Sequence, residues 1–317
     1  GYEVYMANSV KAHYYTLRAK YIPMDSGPDT IPWWCTGGAT VIQMSHGIAL
    51  KGSMDTETNW IHRRLSWKTP DYGVFGSEYE WTHYIEYDAE SNGRGWTDHR
   101  LDQNANTIIT GYPKTDAIIN SNIGTIDGID TDPERLGIEQ SAVVIGYFPT
   151  RREGHGLDLD SIFDVSRIEE FLQQHNAQFL IKPHRELDIG DGIIETDSIQ
   201  LIDPDTDSHQ FLTEIDILIT DYSSIYYDFL VLDRPVVFFT PEYSAFEAIR
   251  GVHPKYETVT AGPRVNDCAE LLEQLQAIVN GADEYADRRR EIRDQFFEHA
   301  DGNASERIVA SVMDEES

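Results

Sequence analysis

The sequence after residue 140 alternates short apolar runs, rich in β-branched and aromatic residues, with stretches of helical periodicity. The runs predict strands at Ala142–Tyr147, Gln178–Lys182, Ser198–Ile202, Asp216–Thr220 and Pro235–Phe239. Helices are predicted at Asp160–His175, Ser223–Leu232, Asp267–Asn280 and Ala282–His299. This alternation predicts a parallel sheet with helices on both faces. Ligands of such sheets bind outside the carboxyl ends of the strands, so residues that follow strands are the candidates for function.

The first part of the chain has a weaker α/β pattern. A helical stripe covers Ser9–Tyr21, a loop with several prolines begins at Pro23, and strands are predicted at Thr40–Met44, Tyr72–Gly76 and Thr107–Thr110. Ser121–Gln140 is rich in Gly, Asp and Thr and lacks periodicity, which indicates a linker. We therefore predict an α/β protein with two Rossmann-like domains that face a cleft, residues 1–130 and residues 131–317.

The composition excludes several classes of function. The 317 residues carry a net charge of −30, and acidic residues are spread along the chain, for example from Asp203 to Asp207. Such a charge argues against nucleic-acid binding and against simple adhesion to an anionic membrane. It favours adaptation to a saline cytoplasm over an acidic binding function. The sequence has no run of about 18 apolar residues and no signal peptide, which predicts a cytoplasmic protein.

Neither the cysteines nor the first residue indicates a special site. Cys35 and Cys268 lack partners at metal-ligand spacing and are interpreted as separate free thiols. Because the chain opens with Gly1 rather than Met, we expect the natural protein to begin further upstream.

Two serines, Ser223 and Ser224, follow the predicted strand that ends at Thr220. A serine at the start of a helix is by default an N-cap, and the residues alone favour that role. The same position also offers backbone N–H groups, hydroxyl groups and the positive end of the helix dipole, which together bind phosphate. Asp228, four residues after Ser224, lies on the same helix face and can reach a ribose hydroxyl.

Two histidines and two arginines also follow predicted strands. His46 and His184 are each as readily structural as functional, although either can act as a general base near neutral pH. Arg151 and Arg152 can each bind a phosphate with two hydrogen bonds. Pairing of these arginines with the many surface carboxylates is an equal alternative.

The whole chain resembles the CDP-glycerol glycerophosphotransferases, the enzymes behind glycerol-phosphate polymers such as teichoic acids. Matching blocks occur in the family's order: Asn8–Tyr14, Leu17–Tyr21, His46–Lys51 (similar to HG-x-P-L-K), Thr110–Asp116 (similar to G-x-P-R-x-D), Tyr147–Arg152, Lys182–His184, Thr220–Ser224 with Asp228-Phe229, and Asp233–Val236. The block Thr220–Ser224 is the most specific to the family, and the resemblance therefore favours phosphate binding over capping for Ser223 and Ser224. Ala49 replaces a proline of the family, and Arg185 follows His184 where the family often has another proline. From the resemblance we expect the N-terminal domain to lack its first strand and helix.

The resemblance implies a GT-B fold that binds its donor mainly through the C-terminal domain and needs no metal or cofactor. It implies His46 as the base and His184 as its partner near the donor phosphates. The remaining expected site residues are Thr220, Ser223, Ser224 and Arg152 for the phosphates, Asp221 and Asp228 for the nucleotide, and Gly47, Lys51, Asp116 and Thr150 in support.

The predicted reaction is transfer of glycerol phosphate, or a similar polyol phosphate, from a CDP-linked donor to an acceptor hydroxyl, with release of CMP. The acceptor would be a polyol phosphate, glycan or glycolipid of a cell-surface polymer, met by peripheral contact at the cytoplasmic face of the membrane. The alternatives are a GT-B glycosyltransferase with another nucleotide-linked donor and a non-catalytic nucleotide-binding partner protein.

Overall fold

The chain folds into two compact units. The computed structural model describes residues 3–6, 9–25, 33–44, 48, 71–80, 106–120, 138, 142–152, 156–187, 195–250 and 256–314. Unit 1 comprises Gly1–Ile48, Gly52–Asp116 and Gln295–Ser317, and unit 2 comprises Ala49–Lys51 and Ala117–Asp294. The predicted linker lies outside the described residues except for Ile138.

Unit 1 contains a sheet of four parallel strands in the order β1-β2-β3-β4. The strands are β1 Tyr21–Met24, β2 Thr40–Gln43, β3 Tyr72–Phe75 and β4 Asn106–Ile109, with helix α1 at Val10–Arg18 and helix α2 at Pro113–Ile119. The predicted first helix is too long, because α1 ends at Arg18 and Tyr21 opens β1. Pro23 was expected in a loop but lies in β1, where an edge strand of the described sheet tolerates the missing N–H.

Unit 2 contains a sheet of six parallel strands in the order β10-β9-β8-β5-β6-β7. The strands are β5 Val143–Phe148, β6 Ala177–Ile181, β7 Ile199–Leu201, β8 Ile217–Thr220, β9 Val236–Phe239 and β10 Arg264–Val265. The chain builds the sheet outward from β5 to β7 and then returns to add β8 on the other side of β5. This order is that of the doubly wound nucleotide-binding fold, whose ligands bind where the strand order reverses. The reversal lies between β5 and β8.

Among the described residues, the helices of unit 2 are α3 Leu159–Ile162, α4 Val165–His175, α5 Ile225–Leu230, α6 Tyr243–Arg250, α7 Tyr256–Val259, α8 Cys268–Val279 and α9 Ala286–Phe296, whose last two residues belong to unit 1. The single helix predicted at Asp160–His175 is two helices, because Asp164 starts α4 as its N-cap and accepts a hydrogen bond from Arg167 N at 3.2 Å. Asn176 ends α4 in the left-handed conformation, with φ of 48°.

The strands on either side of the reversal are buried. All of β6, β8 and β9 is buried, and so is β5 from Val144 to Phe148. Gly146 in β5 permits this packing, because a Cβ atom there would lie 2.9 Å from Cδ1 of Ile215. The loops that follow these strands are therefore carried by a rigid, closely packed sheet.

The end of the chain belongs to unit 1, whereas the sequence assigned everything after residue 131 to the second domain. Helix α10, Ala304–Asp314, is held at its start by Asp116 of unit 1. The Oδ1 atom of Asp116 accepts a hydrogen bond from Ala304 N at 2.8 Å, and Oδ2 accepts one from Ser305 N at 2.7 Å. The buried Asp116 thus satisfies two N–H groups at the start of a helix distant in sequence, a contact that local pattern does not reveal.

Candidate functional site

The candidate site of unit 2 is at the carboxyl edge of its sheet, where the loops after β5, β6 and β8 lie. The loop after β5 carries Thr150-Arg151-Arg152, the loop after β6 carries Lys182-Pro183-His184, and the loop after β8 carries Asp221-Tyr222-Ser223-Ser224. Because β8 and β6 both pair with β5, these three loops are neighbours. The structure therefore brings together the residues that the sequence placed in separate blocks.

The hydroxyl of Ser224 does not cap the helix that it precedes. Ser224 is the N-cap of α5 by position, but its backbone is helical (φ −66°, ψ −14°) and its side chain makes no capping hydrogen bond. Ser223 Oγ accepts from Ile225 N at 3.5 Å, the long limit of a hydrogen bond. Both serines are partly exposed. The capping role that the residues alone favoured is wrong for Ser224, and its hydroxyl is not committed to the helix.

Arg152 and Asp221 form a buried ion pair beneath this loop. Arg152 Nη1 lies 2.8 Å from Asp221 Oδ2, and their side chains are 2% and 0% exposed. Asp221 also accepts hydrogen bonds from Thr150 N at 2.9 Å and from Tyr222 N at 2.6 Å. The sequence predicted Arg152 for phosphate and Asp221 for the nucleotide. The structure places both charges inside the protein, where they hold the loops after β5 and β8 together.

Thr220 has a similar internal role. Its side chain is fully buried, and its Oγ1 donates a hydrogen bond to the carbonyl oxygen of Phe148 at 2.9 Å. This bond joins the last residues of β8 and β5. Thr220 was predicted to bind phosphate, but in this structure its hydroxyl is used within the sheet edge.

Four buried polar atoms around the ion pair lack a hydrogen-bond partner among the described residues: Tyr147 OH, Thr150 Oγ1, Arg152 Nη2 and Tyr222 OH. Burial, reinforced by the Asp221 carboxylate, raises the pKa of Tyr147 and Tyr222, so both phenols stay protonated. Burial works against the charge of Arg152, but Asp221 outweighs it and raises the pKa of the guanidinium. Ordered water is the usual partner of such atoms in folded proteins.

His184 is exposed and lies in a turn after β6. Its Nδ1 accepts a hydrogen bond from the backbone N–H of Glu186 at 3.1 Å, and its carbonyl oxygen accepts one from Leu187 at 2.8 Å. In the neutral ring the proton is therefore on Nε2, the form that can donate to a phosphate oxygen. Arg151 pairs with Glu186 at 2.5 Å, which is the carboxylate alternative considered from the sequence.

Asp228 lies on α5 and contacts a histidine that the sequence analysis did not select. Its side chain is 5% exposed, and its Oδ2 lies 2.9 Å from Nε2 of His209. The other ring nitrogen of His209 lies 3.1 Å from Oδ1 of Asp207. His209 occupies a three-residue 3₁₀ turn, Ser208–Gln210, between β7 and β8. The available signal was its place shortly after the end of β7, but that segment was interpreted as part of the acidic surface.

The buried side chain of Lys182 lies close to the same acidic segment. Its Nζ donates hydrogen bonds to the carbonyl oxygens of Pro204 at 2.8 Å and Pro183 at 3.1 Å. Burial lowers the pKa of Lys182, and the carboxylates of Asp203, Asp207 and Asp205 act in the opposite direction. The block Lys182–His184 therefore contributes a buried cation as well as the exposed His184.

Three predicted site residues, His46, Gly47 and Lys51, lie outside the described residues. Within the part of the chain that is described, no group of three or more His, Cys, Asp or Glu side chains is arranged to hold a metal ion. No helix among the described residues is long and apolar enough to span a membrane.

A family model covers almost the entire chain. Residues 1–314 match the family described as CDP-Glycerol:Poly(glycerophosphate) glycerophosphotransferase.

Curated relatives carry related names. A teichoic acid glycerol-phosphate transferase of Staphylococcus aureus is 30% identical over 221 residues, which are 64% of this chain and 53% of that protein. A teichoic acid poly(glycerol phosphate) polymerase of Bacillus spizizenii is 24% identical over 319 residues, 96% of this chain and 77% of the polymerase. The chain thus spans about half the length of the S. aureus transferase.

Solved structures support the predicted fold class. A variant of the wall teichoic acid polymerase TagF matches with a TM-score of 0.75 at 20% identity, covering 97% of this chain and 76% of that one. A co-structure of S. aureus MnaA with UDP matches with a TM-score of 0.51 at 15% identity, covering 98% and 82% of the two chains. The predicted α/β fold of GT-B type is confirmed.

Proposed function

The chain belongs to the CDP-glycerol:poly(glycerophosphate) glycerophosphotransferase family, and we propose that it transfers glycerol phosphate from CDP-glycerol to an acceptor hydroxyl. The product is an extended cell-surface polymer of the teichoic acid type, and CMP is released. The observation that carries the proposal is the position of Ser223 and Ser224. They are partly exposed at the strand-order reversal, and the hydroxyl of Ser224 does not cap a helix.

In this reaction the oxygen of the acceptor hydroxyl attacks the outer phosphorus of CDP-glycerol. A new P–O bond forms, the bond from that phosphorus to the bridging oxygen breaks, and CMP leaves with the bridging oxygen. His46 takes the proton of the acceptor hydroxyl. Ser223, Ser224 and Nε2 of His184 hold the charge on the phosphate oxygens, so that catalysis rests on positioning and electrostatic stabilisation. The reaction as proposed uses no metal.

Arg152 and Asp221 act in this proposal by positioning. Their ion pair fixes Thr150 and the backbone of Tyr222, and so sets the conformation from which Ser223 and Ser224 project. Arg152 Nε also lies 3.2 Å from Oε2 of Glu242, so two carboxylates compensate the buried guanidinium.

The names of some relatives indicate CDP-ribitol as a second candidate donor. The teichoic acid ribitol-phosphate polymerase TarK of S. aureus is 28% identical over 215 residues, 66% of this chain and 40% of that protein. A TagF variant soaked with CDPG matches this chain with a TM-score of 0.70 at 21% identity, which favours CDP-glycerol as the first donor to test.

The test is thermal unfolding in multi-molar KCl with CDP-glycerol, CDP-ribitol or a UDP-sugar. A ligand at about 100 times its dissociation constant adds roughly 2.7 kcal/mol to the free energy of unfolding. Selective stabilisation by CDP-glycerol supports the proposal, and selective stabilisation by CDP-ribitol supports the second donor. A folded protein that responds to neither compound would contradict both. For the base, we expect His46→Ala to bind CDP-glycerol but to lose turnover, and full turnover would exclude the assignment.

The proposed place of action is the cytoplasm, with peripheral contact to the membrane that carries the acceptor. The charge of −30 implies that contact is made through the acceptor or through local features and not through general attraction to anionic lipid.

A further inference from the structure

A carboxylate–imidazole–carboxylate cluster lies beside the proposed donor site and is not explained by the family blocks. His209 stands between Asp228, at 2.9 Å from Nε2, and Asp207, at 3.1 Å from Nδ1. The three residues come from the turn after β7 and from helix α5 after β8, both at the carboxyl edge of the sheet. The cluster therefore links the acidic segment after β7 to the helix that follows the two serines.

The contacts of the ring determine its charge. An ionised carboxylate accepts hydrogen bonds and cannot donate them, so each carboxylate requires a proton on the ring nitrogen that faces it. Two ionised partners therefore require the doubly protonated imidazolium form of His209. The side chain of His209 is 30% exposed, which keeps part of the ring solvated.

Asp228 is the member of the cluster that lies on the helix preceded by the two serines. It follows Ser224 by four residues, and Ser224 already has helical backbone angles. Residues at this spacing lie on one helix face with about 5–6 Å between their Cβ atoms. A carboxylate that is 5% exposed at this distance would repel the phosphates of a donor unless a cation compensates it.

We propose that His209 is a positioning residue of the donor site. Its imidazolium orients the Asp228 carboxylate and neutralises it, so that the donor phosphates can approach Ser224 without a bare negative charge one helical turn away. The role rests on the proposed function, since it presumes a CDP-linked donor at Ser223 and Ser224. Lys182 also interacts electrostatically with Asp207 of the cluster, and Asp203 and Asp205 interact with Lys182 from the loop after β7.

The test separates charge from structure with three variants: His209→Gln, Asp228→Asn and the double variant. Gln retains a hydrogen-bond donor for Asp228 but carries no charge. We expect His209→Gln to raise the dissociation constant for CDP-glycerol about tenfold or more by isothermal titration calorimetry. We expect the KM for CDP-glycerol to rise by the same factor while kcat changes little.

The double variant gives the decisive comparison. In this proposal Asp228 is held by His209 and does not bind the nucleotide as the family resemblance implied. If His209 acts by compensating Asp228, removal of the carboxylate charge should therefore restore CDP-glycerol binding to within about threefold of wild type. A structural role would instead give losses that add. His175→Ala is the matched control, because this histidine ends α4 at the opposite edge of the sheet and contacts Gln276 at 3.0 Å.

The protonation state is tested without ligand. In ¹⁵N-histidine-labelled protein at neutral pH, the ring nitrogens of His209 should show the shifts of imidazolium, and Asp228→Asn should weaken that signature. A neutral ring in wild type overturns the proposal. So does unchanged CDP-glycerol affinity in folded His209→Gln, or a double variant no better than the single one. A wild-type protein that binds no CDP-glycerol overturns the proposed function and the positioning role with it, whereas normal wild-type binding in the other cases leaves the proposed function intact.

Discussion

Asp221 and Asp228 lie seven positions apart in the same strand–helix segment, and both are almost completely buried, but they are compensated differently. Asp221 faces the guanidinium of Arg152, which is charged at every pH that the protein can survive, and it accepts two backbone N–H bonds as well. Asp228 faces His209, a group whose charge depends on its surroundings and which is itself partly exposed.

The difference distinguishes a structural ion pair from a pair that we assign to the proposed donor site. The Arg152–Asp221 pair is permanent, closed to solvent and surrounded by the rings of Tyr222 and Phe246, which the guanidinium contacts at 5.7 and 5.2 Å. Such a pair fixes the loops that it joins, and the charge of its guanidinium does not change with pH or with small changes in its surroundings. The His209–Asp228 pair is adjustable and lies one turn from Ser224. One segment thus carries a structural carboxylate before its serines and a tunable carboxylate after them.

The largest effect is expected from removing the cation of the structural pair. Arg152→Met leaves the buried Asp221 carboxylate without its counter-charge, which costs about 3–5 kcal/mol in comparable pairs. Urea unfolding at fixed KCl measures the loss. The neighbouring Arg151→Met is the control, because Arg151 and Glu186 are 45% and 50% exposed and such pairs contribute about 0–1 kcal/mol.

Equal losses from the two arginine variants would show that burial does not distinguish these pairs. Because Arg152 lies within the loops of the proposed donor site, the variant should also lose CDP-glycerol binding at temperatures where it remains folded.

A smaller loss of stability is expected at the adjustable pair. His209→Ala removes one partner of a buried carboxylate, which costs about 1–3 kcal/mol. Part of the loss should be recovered by Asp228→Asn in the same protein, because the amide tolerates burial without a cation. A loss as large as that of Arg152→Met would contradict the division into structural and adjustable pairs.

The sequence predicts the fold well where burial is continuous. Strands β8 and β9 lie within one residue of their predicted ends, because strands buried on both faces are apolar without interruption. The sequence predicts helix boundaries less well where a single N-cap residue sets them. Asp164, for example, starts a second helix where one continuous helix was expected. The block that contains Ser223 and Ser224 follows β8 as predicted, at the edge of the sheet where residues after parallel strands meet.

The partners of charged residues could not be predicted. Asp228 and His209 are 19 positions apart in different elements, and Asp116 meets Ala304 across 188 positions. Periodicity gives the face on which a side chain lies, but not the group that another element brings to that face. For the same reason Arg152 and Asp221, predicted as ligand residues from their positions after strands, are each other's partners.

Asp207, the second carboxylate of the histidine cluster, should make the free energy of unfolding depend on pH in the acid range. The hydrogen bond from His209 lowers the pKa of Asp207 from the ordinary value of 3.8. A lowered pKa stabilises the folded protein above the unfolded-state value, and this contribution is lost as the pH falls through the folded-state value. We therefore expect wild type to exceed Asp207→Asn by under about 1 kcal/mol at neutral pH, since the side chain is 53% exposed. In denaturant titrations the difference should diminish as the pH falls below 3.8 and through the lowered pKa of Asp207, and a difference that grows on acidification would have the wrong sign.

The smallest effect on stability is expected at Ser224, which lies between the two carboxylates. Ser224 makes no capping bond, so Ser224→Ala should change the free energy of unfolding by less than about 0.5 kcal/mol. Ser9 is the matched control, because its Oγ accepts a hydrogen bond from Ala12 N at 3.2 Å at the start of α1 and its loss should cost about 1 kcal/mol. CDP-glycerol affinity should show the reverse order, with a clear loss in Ser224→Ala and none in Ser9→Ala. If Ser224→Ala instead destabilises the protein as Ser9→Ala does and leaves the affinity unchanged, the serine is a cap after all. Ser223 would then be the only serine of the segment left to bind the donor phosphates.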